Sequence, residues 1–93
     1  MKYFVYLIIT KRINKIISYV GYTKDLKKRL NLHNNSKGAK FTKGRFWKIA
    51  YFKKFLTKSV ALKEEYNLKK NYVLRSKIKK KFLKNENISP SSL

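Results

Sequence analysis

Few side chains in this sequence can move a proton or hold a metal. The 93 residues include one histidine, His33, and four acids, Asp25, Glu64, Glu65 and Glu86. There is no cysteine, which excludes a disulfide framework and a thiolate zinc site. A lone histidine excludes His-rich metal sites and paired-histidine acid/base chemistry. The acids are too few for the converging carboxylates of a two-metal nuclease or polymerase site, unless nearly all of them meet. His33 can act as a base or relay near neutral pH; its plain alternative is a part-buried helix end. Arg29 stands three residues after Leu26 and four before His33, so all three share one helix face. A guanidinium there can hold a phosphate bidentately and stabilise developing charge. Its alternative is one more solvated cation.

The charge balance narrows the partner. There are 25 Lys+Arg against 4 Asp+Glu, a net charge of +21, which suits a polyanion far better than a neutral sugar. Lys, Asn, Ile, Tyr and Phe are all frequent, as an AT-rich genome would give, but such a genome supplies Glu as readily, and Glu is scarce. Base composition therefore does not account for the missing acids. The chain is 43% hydrophobic and 15% aromatic, too much for a disordered polycation, so one modest core is expected. No apolar run approaches the ~20 residues of a membrane span. The opening MKYFVYLIIT lacks a small-residue cleavage site and reads as a strand rather than a signal peptide. A cytoplasmic protein with no membrane partner is expected.

These side chains need elements to position them. Residues 3–10, YFVYLIIT, and 16–23, IISYVGYT, read as strands. An irregular hairpin loop is expected over 11–15. Gly21 suggests a bulge or a close backbone approach. Leu26, Leu30 and His33 follow helical spacing, with Thr23 or Asp25 as cap and Asn34-Asn35 as the end. Residues 35–46 read as a basic loop and 47–55 as a third strand. Residues 58–71 read as a helix capped by Thr57 or Ser59, and 74–84 as a final basic helix. The order β-β-α-β-α-α describes a small α/β (α+β) domain over 1–84, with a mostly antiparallel three-stranded sheet flanked by helices. Residues 85–93 read as a frayed polar tail.

With the residues set in this order, the chain resembles the GIY-YIG nuclease family, above all its small single-domain members. The first motif stands as Phe4-Val5-Tyr6 and the second as Tyr19-Val20-Gly21. The segment Thr23-Lys24-Asp25-Leu26-Lys27-Lys28-Arg29-Leu30 is similar to the family's T-x-D-L-x-x-R-L helix. His33-Asn34, the run Gly38 to Arg45, and Ala61-Leu62-Lys63-Glu64-Glu65 complete five blocks in order. There are departures: Phe4 and Val5 replace the Gly and Ile of the first motif. Tyr22 stands where the family often has Lys, and Lys77 stands near the place of an Asn of repair and restriction members.

The resemblance implies a nuclease in which Tyr6 or Tyr19, helped by a neighbour such as His33, takes the proton from an attacking water. A phenol ordinarily titrates near ~10 and is a poor base at neutral pH, so dense positive charge or a metal-bound water is expected to lower that value. Arg29 is then the phosphate clamp. Glu65, matching the A-L-x-x-E spacing and lying inward with Ala61 and Leu68, is the ligand for Mg2+ or Mn2+; Glu64 is its competitor. Lys37, Lys40, Thr42, Lys43 and Arg45, with Lys77, are expected to contact nucleic acid, DNA by preference. Trp47 is expected in the core rather than as a stacking platform. A monomer or weak homodimer is expected. The rival readings are a GIY-YIG-like module that binds without cutting, and a ribosome- or RNA-associated basic protein.

Overall fold

The first strand is apolar at nearly every position because both of its faces are covered. In the computed structural model, which describes residues 2–12 and 15–86, β1 (Tyr3–Arg12) is the middle strand of an antiparallel sheet of order β2-β1-β3. Val5, Leu7 and Ile9 point to one side, Tyr6, Ile8 and Thr10 to the other, and all six are buried. A strand buried on both faces reads as a continuous apolar run.

β2 (Lys15–Thr23) pairs with β1 without a break, from Phe4↔Thr23 to Arg12↔Lys15. The hairpin is therefore tighter than the expected loop over 11–15. Lys11, Arg12 and Lys15 belong to the ladder, and residues 13–14 lie outside the described residues. Gly21 carries no bulge, since the register runs through it as Tyr6↔Gly21. The irregularity is on the other side. β3 (Lys48–Phe55) slips between Leu7↔Tyr51 and Ile8↔Ile49, leaving Ala50 as the extra residue.

One face of the sheet is covered by α1 (Leu26–Asn34) and the loop after it. Asp25 caps α1 by accepting from the Lys28 N–H. Leu26 and Leu30 pack toward Tyr6, Ile8 and the wholly buried Trp47. Trp47, the expected start of the third strand, precedes β3, which begins one residue later at Lys48. The other face is covered by α2 (Lys58–Lys70) and α3 (Tyr72–Glu86), whose Ala61, Leu68 and Ile78 meet Val5, Leu7, Ile9 and Val20. Burying each large aliphatic side chain there contributes about 1.5–3 kcal/mol.

Thr57 caps α2, accepting from the Val60 N–H. Asn71 ends α2 and starts α3: its N–H bonds the Leu68 carbonyl, and its Oδ1 accepts from the Leu74 N–H. That double use moves the start of α3 ahead of the expected residue 74. Of the expected tail over 85–93, Asn85 and Glu86 belong to α3, and 87–93 lie outside the described residues. Element order and fold class are as expected, α+β with β-β-α-β-α-α.

Candidate active site

The site forms where α1 crosses the first face of the sheet. Tyr6 projects from the central strand and Gly21 stands opposite it on β2. Glycine is needed here for space, because a Cβ at Gly21 would strike the Tyr6 hydroxyl. The phenol is thereby held level with the inner face of α1. His33, one helical turn after Arg29, is wholly buried, and its Nε2 lies 2.8 Å from the Tyr6 hydroxyl. Its other nitrogen, Nδ1, lies 2.8 Å from Thr42 Oγ1. Thr42 in turn donates to the Ala39 carbonyl at 2.9 Å, within the short 3-10 turn Lys40–Thr42.

This chain of contacts favours one arrangement of the protons, with the Tyr6 hydroxyl finding its acceptor at His33. The Thr42 hydroxyl has spent its hydrogen on Ala39, so its oxygen accepts from His33, which places the imidazole proton on Nδ1. Nε2 is then an acceptor, and the Tyr6 O–H donates to it. The Tyr6 oxygen accepts from Arg29 Nε–H at a longer 3.4 Å. The directed series runs from Arg29 through Tyr6 and His33 to Thr42 and Ala39.

Electrostatics follow from burial. Burial pushes the Tyr6 phenol above its ordinary 10.0; the Arg29 hydrogen bond and charge pull it down, and Tyr19 and Glu65 add to the rise. Desolvation of the phenolate outweighs one guanidinium, so the positive charge beside Tyr6 does not by itself bring the phenol below its ordinary value. His33 is lowered from 6.5 to about 4 by burial and then by the Arg29 charge. At neutral pH it is an uncharged imidazole whose Nε2 lone pair accepts from the Tyr6 hydroxyl.

The other expected residues take varied posts. Tyr19, part-buried on β2, sets its ring 5.3 Å from the His33 ring and stacks on Phe41. Glu65 is 17% exposed on α2, and its charge is felt at Tyr6; Lys69 Nζ lies 3.9 Å from its carboxylate. Glu64 faces away, into a cleft with Val5, Tyr51 and Phe55. Lys37, Lys40, Lys43 and Lys77 are exposed. Thr42 departs from the phosphate-contact role expected for it: it is 0% exposed and serves His33. Arg45 lays its guanidinium 5.3 Å over the Phe41 ring, with a buried Nη1 that has no hydrogen-bond partner among the described residues.

Sequence reasoning left out four residues that the site uses. Gly38 lets the loop close over His33, since a Cβ there would strike the imidazole. Asn34 clamps the loop's far end, bonding both the N–H and the carbonyl of Trp47. Phe41 and Arg75 flank Tyr19. Gly38, Asn34 and Phe41 lie within noticed motifs; nothing in the local pattern sets Arg75 apart from its basic neighbours.

Among the described residues, no group of three or more His, Cys, Asp and Glu side chains encloses a metal, and no helix is long and apolar enough to cross a membrane. One half-buried carboxylate is a hard oxygen donor. It fits Mg2+ or Mn2+ of the kind that keeps water and substrate phosphate as most of its ligands.

A family model described as the GIY-YIG catalytic domain matches residues 2–83. A UPF0213 protein of Staphylococcus epidermidis is 43% identical over 79 residues, covering 84% of this chain and 92% of the relative. A UPF0213 protein of Oceanobacillus iheyensis is 50% identical over 52 residues, 55% of this chain and 60% of the relative. One from Staphylococcus saprophyticus is 52% identical over 52 residues, 55% of this chain and 63% of the relative. In the last two the match spans less than two thirds of the relative's length. No solved structure matches the chain.

Proposed function

The chain belongs to the GIY-YIG nuclease family, and on that premise we propose that it is a divalent-cation-dependent endonuclease acting on DNA in the cytoplasm. The observation that carries this reading is the directed series Arg29–Tyr6–His33–Thr42 beside a single carboxylate.

In this reading Tyr6 is a relay rather than a resting phenolate. Its hydroxyl passes its proton to His33 Nε2 as it takes one from the attacking water, so no phenolate has to persist in a buried site. Thr42 holds the Nδ1 tautomer that keeps Nε2 open. A phosphate arriving at Arg29 offsets the guanidinium charge that depresses His33, and so raises the basicity of the imidazole when substrate is bound. Arg29 holds that phosphate and stabilises the charge that develops on it. Glu65 is the residue that would hold Mg2+ or Mn2+, which would neutralise charge on the phosphate and the leaving oxygen. Tyr19 borders His33 and shapes the entry. Lys37, Lys40, Lys43, Arg45 and Lys77 attract and align the backbone without reading sequence.

A second reading, binding without cutting, is favoured by Lys69, which lies 3.9 Å from the carboxylate that the cation needs. One experiment separates the two. Linear and branched DNA and RNA are incubated with wild type, Arg29→Ala and Glu65→Gln, with Mg2+, Mn2+ or chelator, and binding is measured in parallel. The nuclease reading expects metal-dependent cutting by wild type alone, with binding of the variants retained within about a hundredfold, since one phosphate contact is worth only ~1–3 kcal/mol. Tight binding with no cutting under any condition selects the second reading.

A further inference from the structure

At the free edge of β2, Ser18, Tyr19, Val20, Phe41, Lys69 and Arg75 line an open cleft of about 280 Å3. We propose that this cleft is a second phosphate subsite, in which Arg75 and Lys69 take a phosphodiester of the bound strand next to the one held by Arg29. The proposal rests on the nuclease reading above and extends it to a neighbouring nucleotide.

Three observations support it. The buried Nε–H of Arg75 has no acceptor among the described residues. A buried donor without a partner is costly, and more so on a charged group; a phosphate oxygen entering the cleft supplies the missing partner in the planar fork geometry that guanidinium favours. The cleft shares Tyr19 with the site, and the Tyr19 ring is in contact with His33, which itself bonds Tyr6. The walls suit a nucleotide: Phe41, 51% exposed and stacked on Tyr19, offers an aromatic surface to sugar and base, while Lys69 adds a second cation. Lys69 also lies 3.9 Å from Glu65. A phosphate here draws that ammonium away from the carboxylate, which couples strand binding to release of Glu65.

The test is a titration of the 15N-labelled protein with a DNA oligonucleotide, metal withheld, following the Arg side-chain Nε–H resonances. Arg75→Met, which keeps the stem and removes the donors, serves both for assignment and as the binding variant. The Arg75 resonance is expected to shift on oligonucleotide binding and to stay unmoved by inorganic phosphate at the same phosphate concentration. Arg75→Met is expected to lose on the order of tenfold in affinity, with the salt slope shallower by about one, while its melting temperature holds or rises because an orphaned donor is gone. An unmoved Arg75 resonance at saturation overturns the proposal, as does a variant with wild-type affinity and slope. An equal shift with inorganic phosphate overturns the assignment to the strand. Since binding is read without metal, a protein that binds in this way but never cuts refutes the nuclease reading and leaves the subsite standing.

Discussion

Tyr6 and His33 depend on each other chemically in a way that neither residue type announces. Removing the phenol oxygen in Tyr6→Phe keeps the ring and its packing, so stability should drop by only about 1 kcal/mol. The cleavage rate should fall by ~10²–10⁴, the usual worth of general-base catalysis; thermal melts and single-turnover cleavage check the two halves. Thr42→Val should also impair cleavage with no loss of surface charge, because His33 Nδ1–H then lacks its acceptor and the tautomer is no longer held. His33 gives a pH signature. Its folded pKa of about 4 lies below the ordinary 6.5, so the unfolded chain binds the extra proton. The contribution to stability is complete above about pH 6.5 and is lost as pH falls toward 4, on the order of 3 kcal/mol in all. His33→Gln should flatten that part of the profile in urea melts taken between pH 7 and 4.

At the scale of elements, the hairpin and α1 act as two jaws, and the glycines set the gap between them. Gly21→Ala places a methyl on the buried end of Tyr6, a rigid ring that has no room to swing. The expected result is a stability loss of ~1–3 kcal/mol and a cleavage loss resembling that of Tyr6→Phe, measurable on the same two axes. Much of this level was legible beforehand. The apolar run of β1, the Asp25 cap and the Leu26–Leu30–His33 face all follow from local pattern, and the pattern positions Arg29 and His33 correctly relative to each other. What local pattern lacks is pairing across the chain. The hairpin was tighter than expected because Lys11 and Arg12 join the ladder, although their charge suggests a loop. Thr42 read as a surface loop residue because its partner, His33, is fixed only once the loop folds back. Arg75 was lost among basic neighbours, since only the fold brings it to the edge of β2. The tyrosine pair expected from the motifs is unequal in the structure: Tyr6 carries the hydrogen bonds and Tyr19 contributes its ring.

For the whole molecule, a charge of +21 on 93 residues governs encounter with any polyanion. Binding to DNA should weaken steeply with salt, because each neutralised phosphate releases counterions. With six or more phosphates engaged, the log–log slope is expected near −5 or steeper, read from anisotropy titrations across a salt series. A slope close to zero would remove the nucleic-acid reading at its base. The three-stranded sheet carries the Tyr6–His33 contacts on the face covered by α1 and its loop and the larger apolar core on the face covered by α2 and α3, while Glu65 and Arg75 reach the site from those two helices. Substitutions at Ile78 or Leu68 should therefore act on stability first and on chemistry only through it.

The claim at the centre is that Tyr6 and His33 form one relay. Single-turnover cleavage rates of wild type, Tyr6→Phe, His33→Ala and the double variant form a cycle that tests it, with binding measured alongside to show that each variant still engages DNA. A shared relay predicts that the double variant is no slower than the slower single one, because either change already breaks the path. Losses that multiply would contradict it, as would a wild type that never cuts or a His33→Ala variant that cuts at the wild-type rate.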